Sequence, residues 1–343
     1  MKNFWKKKKI LITGHTGFKG SWLSLMLLNF NAKIYGISFE PKKKDLNFIN
    51  SNLKNKCKNF FFDIRDFKKL DKTISKIKPD IIFHLAAQPL VIRGYMFPKE
   101  TFDINTLGTL NILEAIKKNK VKTSIIITTD KVYKNNDTRR MFVESDDLGG
   151  TDPYSSSKHL AELIVENYNK NYFKNMNLNV VTARAGNVIG GGDRGENRLI
   201  PDFFKSNNEI TIRSPNSTRP WQFVIDPLDG YLQLAKFIHK KKLKKNQYSW
   251  NFAPNNQKPK NVKYIIDLLN TKLNKKIIYK NNKNISEKKY LSLSSKKAEK
   301  YLNWSCKYSV IDSINKIVDW EYNFKRNKIS ITNKQIKEHY KKY

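Results

Sequence analysis

Cysteine is nearly absent from this chain, with 2 among 343 residues, Cys57 and Cys306. With no CxxC spacing, so few thiols exclude a disulfide framework and point to a reducing compartment, the cytoplasm. Acidic residues are scarce as well: 30 Asp and Glu stand against 66 Lys and Arg, a formal charge of +36. The five histidines, His15, His84, His159, His239 and His339, never fall at metal-site intervals, and no metal is expected. Long apolar runs are missing. The longest, near Leu23–Leu28 and Ile125–Ile127, fall far below the ~20 residues that cross a bilayer, so no membrane partner is expected. The basic start Met1–Lys9 leads directly into Ile10-Leu11-Ile12-Thr13-Gly14, too short an apolar stretch for a signal-peptide core.

What is present suffices for a folded protein, since 39% of the residues are apolar and 12% aromatic. The positive charge invites a nucleic-acid reading, because clustered cations release counterions from phosphate backbones. Here the lysines are spread along the chain among asparagines and isoleucines, as at Lys42–Lys44 and Lys296–Lys297. No zinc-finger spacing or aromatic–glycine RNA signature accompanies them. The charge therefore reads as a solvated surface, and no nucleic acid is expected as partner.

The first half alternates short β-rich runs with amphipathic stretches. Lys9–Thr13, Lys33–Phe39, Phe60–Phe62, Ile81–Leu85, Ser124–Thr128 and Asn179–Ala183 read as strands. Gly20–Phe30, Asp103–Lys118 and Tyr154–Tyr172 read as helices. Repeated β-α-β units with continuously apolar strands predict an α/β fold, a doubly wound parallel sheet of Rossmann type. After about Gly190 the alternation is lost. Residues 1–185 are expected to form the dinucleotide-binding domain, and 186–343 a smaller substrate lobe with some segments returning to the main sheet. Lys325–Tyr343, highly charged, is expected as a poorly tied terminal helix.

Three segments carry chemistry. Gly14-His15-Thr16-Gly17-Phe18-Lys19-Gly20 lies between a strand and a helix, where glycines let the backbone approach a pyrophosphate and the helix N-terminus offers free N–H donors. At the end of the second strand, Ser38, Glu40 and Lys42–Lys44 leave the choice between NAD and NADP open. Asp63-Ile64, after the third strand, offers a carboxylate to an adenine amino group. Tyr154 and Lys158 stand one helical turn apart behind Asp152-Pro153, a helix start, and a nearby ammonium lowers a phenol's pKa from about 10. Tyr279 and Lys283 share that spacing on a solvated segment, where it reads as coincidence. Thr129-Asp130-Lys131 follows the fifth strand, where open α/β sheets bind ligands, and places an acid and a base side by side.

Together, the segments GHTGFKGSW (14–22), HLAAQPL (84–90), NTLGTLNILEA (105–115), TTDKVY (128–133), DPYSSSK (152–158), RAGNVIGGGD (184–193) and RPWQ (219–222) resemble the extended short-chain dehydrogenase/reductase family. Within it the likeness is to the nucleotide-sugar 4,6-dehydratases that act on CDP-glucose. The resemblance implies a hydro-lyase with NAD as a recycled cofactor. Gly14, Thr16, Gly17, Phe18, Gly20, Asp63, Ile64, Leu85, Ala86, Ala87, Asn105, Tyr154 and Lys158 would hold it. It further implies that Tyr154, assisted by Lys158 and Thr129, takes the sugar 4-hydroxyl proton, that Lys131 is the base at C5 and that Asp130 protonates the departing 6-hydroxyl. Gln88, Asn187 and Arg219 would contact sugar and diphosphate. A homodimer built on the helices around Asp103–Lys118 and Tyr154 follows from the same resemblance.

Gly94, Arg194 and Phe223 depart from the pattern, where serine, tryptophan and histidine are expected; the last two fall in the substrate lobe. The rival readings are a nucleotide-sugar 4-epimerase or reductase, which needs Tyr154 but no acid–base pair at Asp130–Lys131, a dehydratase for another nucleotide-glucose, and a non-catalytic nucleic-acid binder on the same scaffold.

Overall fold

The structure, a computed structural model, describes residues 1–343 except 242, 244–246, 256, 281–287, 328–329 and 342–343, so Lys283 lies outside the described residues. Its main sheet is built from β1 (Lys9–Thr13), β2 (Lys33–Ser38), β3 (Lys58–Phe61), β4 (Ile81–His84), β5 (Thr123–Ile127), β6 (Asn179–Ala185) and an edge strand, Ser249–Phe252. The order across the sheet is edge strand, β6, β5, β4, β1, β2, β3, and every neighbouring pair is parallel. The order reverses between β1 and β4, which makes that junction the switch point where such sheets bind ligands.

Both faces of the sheet are covered. Ile10 and Ile12 of β1 face one apolar cluster with Trp22, Met26 and Phe83, while Leu11 faces a second with Ile82, Ile112 and Ile126. This two-sided burial explains why the strands read as continuous apolar runs. The predicted strands match those observed to within a residue or two.

The elements beyond those expected include two that bear directly on the main sheet. The Phe67–Ile77 helix, capped by Asp66, buries Leu70, Ile74 and Ile77. The Ser249–Phe252 strand extends the sheet beyond β6, so a segment of the second half does join it. Two helices are shorter than expected: Gly108–Asn119 begins after a wide turn at Asp103–Leu107, and Pro153–Tyr168 ends in another at Asn169–Phe173.

The expectation of a poorly tied terminal helix is corrected. The Ile331–Lys341 helix buries Ile331, Thr332, Gln335, Ile336 and His339. Trp320 Nε1 donates to Thr332 Oγ1 (2.8 Å), Thr332 Oγ1 donates to Asn47 Oδ1 (2.6 Å), and Tyr340 Oη donates to Asp229 Oδ1 (2.7 Å). The charge that suggested solvation lies on the outer face, and the inner face docks on Asn47 of the first half and on Trp320 and Asp229 of the second. Ile336→Ala should accordingly cost about 2–5 kcal/mol, the usual range for emptying a buried isoleucine site. Denaturant unfolding checks this, and a negligible loss would mean the helix is indeed loose.

Candidate active site

A cavity of about 750 Å³ opens over the carboxyl ends of the central strands, between them and the second half of the chain. Its floor begins at the turn after β1. Gly14 adopts φ +73°, and a Cβ there would stand 2.8 Å from Ala86 N; one on Gly20 would stand 2.1 Å from Gly14 O. Only glycine permits this approach. The Phe18–Asn29 helix therefore points its N-terminus into the cavity, with Gly17 as the extended residue before it. The narrow turn and the N–H donors fit the pyrophosphate of a dinucleotide.

Gly14, Thr16, Gly17, Phe18, Gly20, Asp63, Ile64, Leu85, Ala86 and Ala87 all line the cavity, as do Thr129, Asp130, Lys131, Tyr154, Lys158, Asn187 and Arg219. At the adenosine end, Ser38 Oγ pairs with Thr16 Oγ1 (3.0 Å) and donates to Phe39 O. Asp63 is held by Arg65 through two guanidinium hydrogen bonds (2.6 and 2.9 Å), which keep its carboxyl low although burial pushes the other way.

Gln88 and Asn105 are not among the lining residues. Asn105 accepts from Gln88 N (2.8 Å) and donates to Gln88 O and Ser157 Oγ (3.0 Å each). The Gln88 side chain is spent on Leu90 and Thr101. Both brace the wall between the β4 loop and the Pro153–Tyr168 helix.

Electrostatically the cavity surrounds one carboxylate with cations. Asp130 is buried; its Oδ1 accepts from Thr129 Oγ1 (3.0 Å), while its Oδ2 has no hydrogen-bond partner. Burial pushes its pKa up, against the pull of Lys131, Thr129, Arg219 and Lys19. Lys158 Nζ donates to Ile127 O (3.1 Å), and burial, helped by Lys19, lowers it to about 8. Tyr154 is raised to about 12, first by burial and opposed by a hydrogen bond with Thr129. In the polypeptide alone, desolvation outweighs the Thr129 hydrogen bond and the Arg198 charge that favour the phenolate.

Sequence reasoning passed over Lys19, which lines the cavity and is lowered to about 8 by burial and by Arg198. A signal existed: a lysine in the first turn of a helix, with no acidic residue there, opposes the helix dipole. It also missed Asp193 and Arg198, an ion pair (3.0 Å) in the wall. The three departures have local accounts. Gly94 packs against Tyr154, where a Cβ would sit 3.2 Å from Tyr154 N. Arg194 makes a fork of two 2.6 Å bonds to Glu321. Phe223 lies edge-on between Trp22 and Tyr308.

A dinucleotide cradle that shares one cavity with a tyrosine, a lysine and a buried acid defines a short-chain dehydrogenase/reductase type of enzyme. The model of the GDP-mannose 4,6 dehydratase family matches residues 11–317, and the chain belongs to that family. It is 38% identical over 330 residues to the CDP-glucose 4,6-dehydratase of Salmonella typhimurium, covering 93% of this chain and 92% of that one. Among solved structures it superposes on the NAD complex of dTDP-glucose 4,6-dehydratase from Bacillus anthracis with a TM-score of 0.77 at 23% identity, over 93% and 98% of the two chains. UDP-glucose-4-epimerase from Stenotrophomonas maltophila gives 0.80 at 16%, over 93% and 99%. These two likenesses carry the fold.

The Asp130 geometry makes a stability prediction. A folded-state pKa raised above the usual ~3.9 means that ionising Asp130 costs stability, and that the cost grows as pH climbs above that value. Asp130→Asn should therefore melt higher than the native chain at about pH 7.5 and lose that advantage near about pH 4. Calorimetry showing no gain at the higher pH would mean that the surrounding cations already compensate the burial.

Proposed function

We propose that this chain carries out NAD-dependent 4,6-dehydration of CDP-glucose, giving CDP-4-keto-6-deoxyglucose and water. The observation that carries the reading is Asp130: a buried carboxyl with one oxygen unbonded, beside Lys131 and in the same cavity as Tyr154 and Lys158. Oxidation at C4 alone needs no such group. Burial favours the protonated form of this carboxyl, the form that can give a proton to a departing hydroxyl.

NAD, which Gly14, Gly17 and Gly20 would hold at the helix N-terminus, would supply a recyclable hydride acceptor beside C4 and C6, so that no net reductant is consumed. Tyr154, hydrogen-bonded to Thr129, takes the 4-hydroxyl proton, and Lys158 holds charge beneath it. The 4-ketone acidifies C5, Lys131 removes that proton, and Asp130 gives its own to the 6-hydroxyl as water leaves. Arg219, buried and within electrostatic reach of Asp130, and Asn187 face the sugar and diphosphate. Residues 1–185 hold the dinucleotide and 186–343 mainly the nucleotide sugar. The preference for CDP rests on the Salmonella relative.

A homodimer in the cytoplasm belongs to the same proposal. Leu160 and Leu163 on the Pro153–Tyr168 helix are 39% and 44% exposed, with Tyr172 just past its end at 43% and Leu107, at the start of the Gly108–Asn119 helix, at 50%. Four large apolar side chains left on one helix pair and its flanks favour burial against a second copy. Light scattering at high concentration should give a dimer mass, and a monomer would refute this part.

Incubation with CDP-glucose and NAD should yield, by mass spectrometry, a product lighter by one water without accumulation of NADH. Asp130→Asn and Lys131→Ala should each slow it by about 10²–10⁴-fold, the usual worth of a positioned acid or base. Dehydration untouched by both substitutions would refute these roles. Dehydration of another nucleotide-glucose instead would move the specificity and keep the chemistry.

A further inference from the structure

Tyr154 and Lys158 sit on the Pro153–Tyr168 helix, whereas Thr129, Asp130 and Lys131 follow β5. The chemistry needs the two groups in register, because a misplacement of about 1 Å can cost about 10²-fold in rate. One side chain joins them. Glu162 lies one helical turn beyond Lys158 and two beyond Tyr154. Its Oε1 accepts from Thr128 Oγ1 (2.5 Å) and Arg184 Nε (2.9 Å); its Oε2 accepts from Thr182 Oγ1 (2.7 Å) and Arg184 Nη2 (2.9 Å). Thr128 is the residue immediately before the catalytic run. Arg184 continues the network, donating through Nη1 to Tyr133 Oη (2.8 Å), which donates to Asn251 Oδ1 (2.7 Å) on the edge strand.

We propose that Glu162 is a positioning residue for the reaction: its buried carboxylate pins the Tyr154–Lys158 helix to the strand end that bears Thr129, Asp130 and Lys131, and supplies the negative charge that Lys158 faces. This rests on the function proposed above. Glu162 and Arg184 are 5% and 3% exposed. A buried ion pair is seldom a net gain over well-packed apolar side chains, so stability alone does not account for it. Four directional hydrogen bonds fix a register that apolar packing leaves free to slide. Charged and titratable groups face Lys158 from three elements: Lys19 from the helix after β1, His84 from β4 and Glu162 from its own helix. Glu162 is faced by Arg184 from β6 and by His159 on its own helix, with the Thr128 and Thr182 hydroxyls bonded to it. Of the groups around Lys158, Glu162 favours its ammonium form, against burial and Lys19.

Two substitutions separate geometry from charge. Thr128→Val removes one hydrogen bond and keeps the carboxylate; kcat should fall about tenfold with KM within about twofold and the alkaline limb of the pH profile unmoved. Glu162→Gln removes the charge, so Lys158 loses its proton at lower pH; kcat should fall and the alkaline limb should move to lower pH. A fold-only role would lower melting temperature in both but leave turnover per folded molecule and the limb unchanged, and that result overturns the proposal. If Glu162→Gln does not fold, Glu162→Asp takes its place, with kcat reduced and the limb fixed as the expected result and native kcat as the contrary one. The native chain is assayed first: failure to dehydrate any nucleotide-glucose would refute the proposed function. In that event the Lys158 titration, followed by NMR of ¹³C-methylated lysines and assigned with Lys158→Met, still decides the coupling. A fall in Glu162→Gln supports it, and no change overturns it.

Discussion

The turn after β1 approaches its own helix and the β4 loop so closely that no side chain fits at Gly14 or Gly20, and the rest of the cavity follows from that contact. It sets the Phe18–Asn29 helix with its N-terminus toward the strand ends. It thereby carries Lys19 into the cavity, within electrostatic reach of Asp130 and Lys158. The loop after β4 is fixed on its far side by Asn105, which bonds Gln88 and reaches Ser157 on the Tyr154 helix. Two glycines and Asn105 thus couple the two ends of the cavity, the first by close backbone packing and the second by hydrogen bonds.

Against that scaffold, the ionisable groups of the site sit in forms that water would not favour. Asp130 is held toward its acid, Lys158 toward its amine and Tyr154 toward its phenol, in each case first by burial. Desolvation pushes all three toward neutrality, which leaves the site with a proton to give and groups ready to take one once substrate and cofactor bring their own charges. Holding charged forms in such a site should lower the stability of the native chain. The tightly bonded neighbours, such as Glu162 with Arg184 and Asp193 with Arg198, supply rigidity around it.

Much of this was legible in the sequence. Buried parallel strands gave continuous apolar runs, so β1 to β6 could be read almost to the residue. The glycine turn, the Tyr154–Lys158 spacing and the TDK run were visible because they are local. Other features depended on partners far along the chain. The Phe67–Ile77 helix carries its apolar residues at i, i+4 and i+7 within a lysine-rich segment whose charge hid the pattern. The edge strand Ser249–Phe252 is four residues long and gains its meaning only beside β6. Gln88 and Asn105 look like ligand donors, yet their hydrogen bonds are spent within the wall. The terminal helix looked loose by charge, while its binding face consists of Ile331, Thr332, Gln335 and Ile336. The sign of the Tyr154 shift was unreadable for the same reason: burial is a property of the fold.

The proposed chemistry requires that hydride leave C4 and return to C6 of the same sugar while water departs between. CDP-glucose deuterated at C4, incubated with the protein and NAD in ordinary water and followed by NMR, tests this directly. Deuterium should appear in the C6 methyl group of a 4-keto product. Deuterium retained at C4 of an epimerised sugar, with the 6-hydroxyl intact, would contradict it.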